Sequence, residues 1–284
     1  MDAAGGRKML ELTLCNELLH ADGLSLHRQC EVARELGYAG LELAPSTLGE
    51  APHRLGPGER AEIRRMIEGA GVRVTGLHWL LTGYPDLSIT DRRVRSETRG
   101  VLCDLVDLCA DLGGSVLVHG SPQQRVRPEG ISDEDLLDDL ARLFAPVADR
   151  AASRGVTYCI EPLATAETAV VNTVEEGVRL VDAIDRPAFR TMIDCSAAGR
   201  VEPPVADLIR NWIPSGKIGH IHANDTNRGG PGMGEDPFHD IVAALIETGW
   251  EAPVGVEPFR TIVDATVTAG VAAATLRACE RGLG

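Results

Sequence analysis

The sequence predicts a (β/α)₈ TIM barrel formed as a single domain over residues 1–284, and three observations lead there. Eight short β-rich runs are each followed by a turn and a longer helical stretch, the alternation that produces a parallel sheet. A chain of 284 residues fits one such barrel. No glycine-rich dinucleotide or P-loop fingerprint follows a strand, which argues against an open doubly wound sheet. Nor does any linker, low-complexity tract or long charge run break the series.

The runs follow in order. MLELTLC (9–15) is the first strand, and Ser25 caps a helix over Leu26–Leu36 that Gly37 stops. AGLELA (39–44) is the second, followed by a helix over Glu59–Glu68 ending at Gly71. VRVTGLHWL (72–80) is the third, followed by a helix over Arg92–Asp111 that Gly113 terminates. SVLVHG (115–120) is the fourth; Ser132 then caps Asp133–Ala152, which stops at Gly155. VTYCIEP (156–162), FRTMIDC (189–195), KIGHIHAND (217–225) and APVGVEP (252–258) complete the set. Alternate strand residues share a face. Cys159 and Glu161 therefore point together, as do Met192 with Asp194 and His220 with His222, while Glu257 opposes Val254 and Val256. Barrels of this kind place their active sites at the C-terminal strand ends, where Glu161, Asp194, His222 and Glu257 all stand.

Composition narrows the function. Against 42 Asp and Glu there are 28 Lys and Arg, a formal charge of −14, so nucleic-acid binding through lysine and arginine contacts to phosphates is not expected. No run approaches the roughly 18 apolar residues of a membrane span. The MDAAGGRKML start lacks an apolar signal core, which points to a cytoplasmic protein. Seven cysteines scattered through apolar segments, with no CxxC pair, read as reduced and mostly buried.

Three carboxylates and an imidazole at one barrel mouth repel unless a cation sits among them. An oxygen-rich set without thiolates favours one Mn²⁺, with Co²⁺, Mg²⁺, Fe²⁺ or Zn²⁺ as alternatives. Strand-end Asp and Glu also cap helices or pair with arginines. Four residues holding the same position on strands five to eight weigh toward the metal.

The segments CIEPL (159–163), MIDCS (192–196), GHIHANDTNRGGPGMG (219–234) and GVEPF (255–259), with GYAGLEL (37–43), carry a resemblance. The sequence resembles the xylose-isomerase-like TIM-barrel superfamily of sugar phosphate isomerases and epimerases, especially the D-tagatose/D-psicose 3-epimerase type. That resemblance implies Glu161, Asp194, His222 and Glu257 as metal ligands, Glu161 and Glu257 as the acid/base pair, and Arg228 with Glu167 on substrate oxygens. It implies a keto sugar as substrate, epimerised through a metal-stabilised enediolate. The expected assembly is a homodimer or homotetramer. One departure stands out: such epimerases carry a histidine three residues after the strand-six aspartate, and here that position is Ala197.

His78 and His119 end strands three and four, and are read as hydrogen-bonding to sugar hydroxyls, with Trp79 as an apolar wall of the pocket. In endonuclease IV of the same superfamily, histidines at those strand ends help bind a three-metal cluster. The missing strand-six histidine, Asn227-Arg228 in place of a further metal pair, and the net charge all argue against that activity here. Arg125 in SPQQR is assigned a structural role, His220 an interior one, and Cys195 an orientation away from the site. His20, His27, His53 and His239 are assigned to the surface or to helices. Two other functions stay open: a lyase on the same centre, either a dehydratase or an enzyme cleaving C-glycosides of a 3-keto sugar, and a non-catalytic sugar-binding barrel.

Overall fold

In the computed structural model, which describes residues 9–283, eight parallel strands close on one another in chain order. The strands are β1 (Leu12–Cys15), β2 (Gly40–Leu43), β3 (Arg73–Leu77), β4 (Val116–His119), β5 (Thr157–Ile160), β6 (Phe189–Asp194), β7 (Ile218–Ala223) and β8 (Val254–Val256). The ring closes by pairing Leu12, Thr13 and Leu14 of β1 with Val254, Gly255 and Val256 of β8. Helices α1 (Glu17–Ala21), α2 (Leu26–Glu35), α3 (Pro57–Gly69), α4 (Arg95–Leu112) and α5 (Asp133–Arg154) serve the first half. Helices α6 (Val174–Ile184), α7 (Cys195–Val201), α8 (Val205–Trp212), α9 (Phe238–Glu247) and α10 (Ala265–Gly282) serve the second. The expected TIM barrel is the observed fold.

Local signals account for the helix ends. The Ser25 hydroxyl accepts the Arg28 N–H at 3.3 Å and Ser132 accepts that of Asp135 at 3.1 Å, each satisfying a first-turn donor. Gly113 and Gly155 close α4 and α5 at φ +90° and +68°, a backbone region where a side chain costs energy. Helix α3 starts two residues earlier than expected, because Pro57 fits the first turn and the Glu59 carboxylate accepts the Gly56 N–H at 2.7 Å. Helix α4 starts three residues later, at Arg95.

The strands are shorter than the runs that predict them. β5 and β8 stop just ahead of Glu161-Pro162 and Glu257-Pro258, since proline has no N–H to continue a ladder. Glu161 and Glu257 are thus the first residues past their strands, still tethered by their own N–H groups to His119 and Ala223 carbonyls at 3.2 and 3.4 Å. One large apolar cluster lies mostly between strands and helices. A small second one, Val116, Val118, Cys159 and Met192, shares the strand faces that lead to Glu161 and Asp194. Gly255 has a packing reason: a Cβ there would come within 2.7 Å of the His222 ring. All seven cysteines are free. Among the described residues no helix is long and apolar enough to cross a membrane. Residues 1–8, most of the start read as lacking a signal core, lie outside the described residues.

Candidate active site

Four strand ends bring the predicted constellation together. Glu161 follows β5, Asp194 ends β6 and caps α7, His222 lies near the end of β7, and Glu257 follows β8. One donor atom from each lies within 4.8 Å of the others, and all four side chains are buried. The His222 Nδ1 is the common centre, 3.0 Å from Glu257 Oε2, 3.9 Å from Glu161 Oε1 and 4.0 Å from Asp194 Oδ2.

The electrostatics follow from that crowding. Burial, then the Glu257 and Asp194 charges, push the Glu161 carboxyl well above the usual range. Burial and Glu257 raise Asp194 to about 6. Burial alone would lower His222, but the carboxylates of Glu257 and Glu42 outweigh it and raise the imidazole. Protein groups alone leave this cluster frustrated, whereas a divalent cation among three carboxylates and one imidazole nitrogen relieves it. The donor chemistry therefore fits a metal ion.

Neighbouring groups hold these side chains. Asp194 Oδ1 accepts the Ala197 N–H and Oδ2 accepts the Asn224 amide, both at 2.7 Å; Asn224 is itself pinned by the Ser196 N–H at 2.8 Å. The Trp79 indole N–H donates to Glu257 Oε1 at 3.0 Å, so Trp79 is more than an apolar wall. Its backbone sits at φ +51°, an unusual region for a bulky residue, and its ring stacks on Phe259 with centroids 6.1 Å apart. The Arg228 guanidinium lies 4.3 Å from the Phe259 ring centroid and pairs with Glu167 at 2.8 Å. Trp79, Phe259, Arg228, Glu167 and Glu161 line a cavity of about 270 Å³, with residues 120–124 on another wall.

Of the other expected site residues, His119 lies away from the cluster and His78 beside it. His119 is fully buried away from this cavity, its Nδ1 2.6 Å from the Tyr158 hydroxyl and its ring 5.7 Å from Phe144 of α5. It follows the interior-facing Val118, so strand alternation turns it outward toward the helices. Burial, helped by Arg125, lowers it to about 3, a neutral imidazole. His78, just past β3, is also sealed from solvent, its Nε2 2.8 Å from Glu17, its Nδ1 3.9 Å from Glu42 Oε1 and its ring 6.3 Å from that of His222, so it borders the cluster. Neither histidine is among the residues lining the cavity of about 270 Å³. Arg125 is wholly buried and donates to the Glu161 carbonyl at 2.8 Å, which is the structural role expected of it. Cys195 is buried, and burial raises its thiol further. Ala197 is buried on α7. His20, His27 and His239 are exposed on helices, whereas His53 is buried in a short 3₁₀ turn against Tyr84.

Sequence reasoning missed Glu42 and Asn224. Glu42 on β2 is fully buried, with Oε1 3.0 Å from His222 Nε2 and Oε2 2.8 Å from His220 Nε2. Burial opposes its charge, but the two histidines outweigh that and hold it well below the usual range. A glutamate inside the apolar GLEL strand was the available signal; His220 is the interior histidine expected.

Comparison with known proteins identifies a family for the chain. A model of the xylose isomerase-like TIM barrel matches residues 30–279, and the chain belongs to that family. A D-psicose 3-epimerase from Ruminiclostridium cellulolyticum is 27% identical over 234 residues, covering 81% of this chain and 76% of the relative. A fructoselysine 3-epimerase from Shigella flexneri is 23% identical over 236 residues, covering 79% and 82%. The crystal structure of D-psicose 3-epimerase with D-tagatose from Clostridium cellulolyticum superposes with a TM-score of 0.81 at 22% identity, covering 96% of this chain and 99% of that one, which shows the shared fold.

Two outcomes are expected. Trp79→Phe keeps a ring on Phe259 but removes the donor to Glu257; kcat should fall about 10- to 100-fold, with KM changed much less, since one neutral donor to a charged acceptor contributes about 1.5–3 kcal/mol. Equal kcat in steady-state assays would reduce Trp79 to a wall. The second outcome concerns pH. Asp194 stands at about 6 in the cation-free fold, against roughly 3.9 unfolded. The folded state then binds the extra proton, so this contribution to stability is present at low pH and lost as pH rises from about 4 to 6. Mn²⁺ relieves the deprotonated cluster, so its stabilisation of chelator-treated protein, read as a Tm shift, should be larger at pH 7 than at pH 5. Equal shifts at both values would contradict it.

Proposed function

We propose that this chain is a divalent-metal-dependent epimerase acting on a ketose or related keto sugar, with Glu161 and Glu257 as the acid/base pair. The observation that carries the proposal is the placement of two carboxylates, following β5 and β8, on either side of the His222 and Asp194 donors beside a cavity. The epimerases among its relatives support the reaction class. Glu161, Asp194, His222 and Glu257 would hold the cation, with Mn²⁺ favoured by the oxygen-rich set. Bound there, a cation supplies a Lewis acid that polarises a carbonyl and steadies charge as a neighbouring C–H is deprotonated.

The remaining steps belong to side chains. Inversion needs one carboxylate to take a proton from one face and a carboxylic acid to return one to the other. Burial and the neighbouring Glu257 and Asp194 charges favour the protonated form of Glu161, which suits it to the acid role. The Trp79 N–H holds Glu257 while the Glu167–Arg228 pair at the cavity wall offers an acceptor and donors to hydroxyls. Ala197 stands where the resembled epimerases carry an imidazole that contacts substrate. We therefore assign the site to a bulkier or modified sugar in preference to free fructose or tagatose, and the fructoselysine 3-epimerase relative supports that choice.

The test is turnover in D₂O followed by NMR, with fructose, tagatose and an N-substituted fructosamine as substrates. Solvent deuterium should appear at the inverted carbon, fastest with the substituted sugar. Asp194→Asn and His222→Ala should lose metal and activity together, and Glu161→Gln or Glu257→Gln should cut net epimerisation by about 10²–10⁴-fold. Hydrogen retained at or moved between carbons would favour an isomerase, loss of a hydroxyl a lyase. Full activity without metal would overturn the proposal.

A further inference from the structure

We infer that Glu42 is the positioning residue that makes His222 a metal ligand, an inference that rests on the metal centre proposed above. An imidazole binds a cation through a nitrogen lone pair, and a neutral ring has one such nitrogen and one N–H. His222 has a carboxylate at each end: Glu257 Oε2 at 3.0 Å from Nδ1 and Glu42 Oε1 at 3.0 Å from Nε2. If the proton lay on Nδ1, the lone pair would face Glu42 and no ligand would face the cluster. With the proton on Nε2, the ring donates to Glu42 and turns its Nδ1 lone pair toward Glu161, Asp194 and Glu257. The other neighbour of Nε2, the Cys15 sulfur at 4.0 Å, is a poor acceptor. Glu42 therefore decides which nitrogen is free.

Glu42 is suited to this task because its own position is over-determined. It is fully buried on β2, and its second oxygen accepts from His220 Nε2 at 2.8 Å. His220 lies two residues before His222, on the same face of β7, so one strand supplies both donors. The His220 Nδ1 has no partner, so no second group competes with Glu42 for the orientation of that ring. On the adjacent strand β8, Gly255 is the register partner of His222 and clears space for its ring, so the imidazole is set by Glu42 reaching from β2 and by the absence of a side chain beside it. A buried carboxylate with two imidazole partners costs desolvation free energy, and apolar replacement of such groups is often neutral for folding. Its presence is explained by orienting a ligand.

The two substitutions have different consequences. Glu42→Gln keeps the shape and one acceptor oxygen. The amide can turn that oxygen to His222 and its NH₂ to His220, whose proton can move to the unpartnered Nδ1. Glu42→Leu removes the acceptor altogether. Metal-stripped proteins titrated with Mn²⁺ by calorimetry should show affinity about 10-fold weaker for Glu42→Gln and about 100-fold weaker for Glu42→Leu, the span typical of groups that orient metal-bound histidines. His220→Leu, which leaves the bond from His222 to Glu42, should cost far less. Circular dichroism and unfolding of the metal-free proteins give a readout of folding, and at saturating Mn²⁺ the kcat of Glu42→Gln should return toward that of the parent. Should Glu42→Leu fail to fold, Glu42→Gln decides. Parental Mn²⁺ affinity in a folded Glu42 variant would overturn the role of Glu42 and leave the metal centre standing. If the parent protein itself binds no Mn²⁺, the metal reading falls, and this inference with it.

Discussion

Three carboxylates gathered around one imidazole nitrogen in a dry barrel mouth repel each other, and much of the remaining architecture serves to tolerate that repulsion. Glu161 and Glu257 stand just past strands cut short by Pro162 and Pro258, so each side chain is fixed by a short rigid stem instead of a long loop. Asp194 is tied down by a helix N-terminus and by Asn224. Glu257 is held by Trp79 on one oxygen and faces His222 with the other. These bonds limit the directions in which the carboxylates can relax apart, and the charge is left for a cation to balance.

Beneath that layer lies a second one that is also polar. Glu42 sits between His220 and His222, while at the mouth itself Glu17, just past β1, pairs with His78, just past β3. Arg125, in the loop after β4, donates to the Glu161 carbonyl, and burial lowers its guanidinium to about 10. The four donors, of which Glu161 lines the cavity, are thus bordered by further buried polar pairs. The Trp79–Phe259–Arg228–Glu167 stack forms a wall whose members come from distant parts of the chain, with two of them at left-handed backbone angles. Strain of that kind persists only where packing over-determines it, as at a binding wall.

Much of this could be read from the amino-acid order. Strand alternation gave the faces of Glu161, Asp194 and His222 correctly, and the caps at Ser25 and Ser132 reflect local chemistry that acts within a few residues. The Glu161, Asp194, His222 and Glu257 cluster was legible because each residue closes a recognisable β-run. His119 was misplaced by treating a strand end as a cavity rim: its neighbour Val118 takes the interior face, so the imidazole turns to Tyr158 and Phe144. Glu42 was missed because a single glutamate in GLEL carries no local sign of its partners, which lie 178 and 180 residues away. The Trp79 bond to Glu257 spans the same distance of 178 residues and depends on a left-handed backbone that sequence does not advertise.

The central claim is that one cation belongs among Glu161, Asp194, His222 and Glu257, on the Nδ1 side of the imidazole. Anomalous diffraction from crystals soaked in Mn²⁺, recorded on both sides of the manganese absorption edge, tests it directly. A single peak about 2.0–2.2 Å from one oxygen of each carboxylate and from His222 Nδ1 is the predicted result. A peak on the Nε2 side near Cys15 and Glu42, or no peak at the barrel mouth, would contradict it.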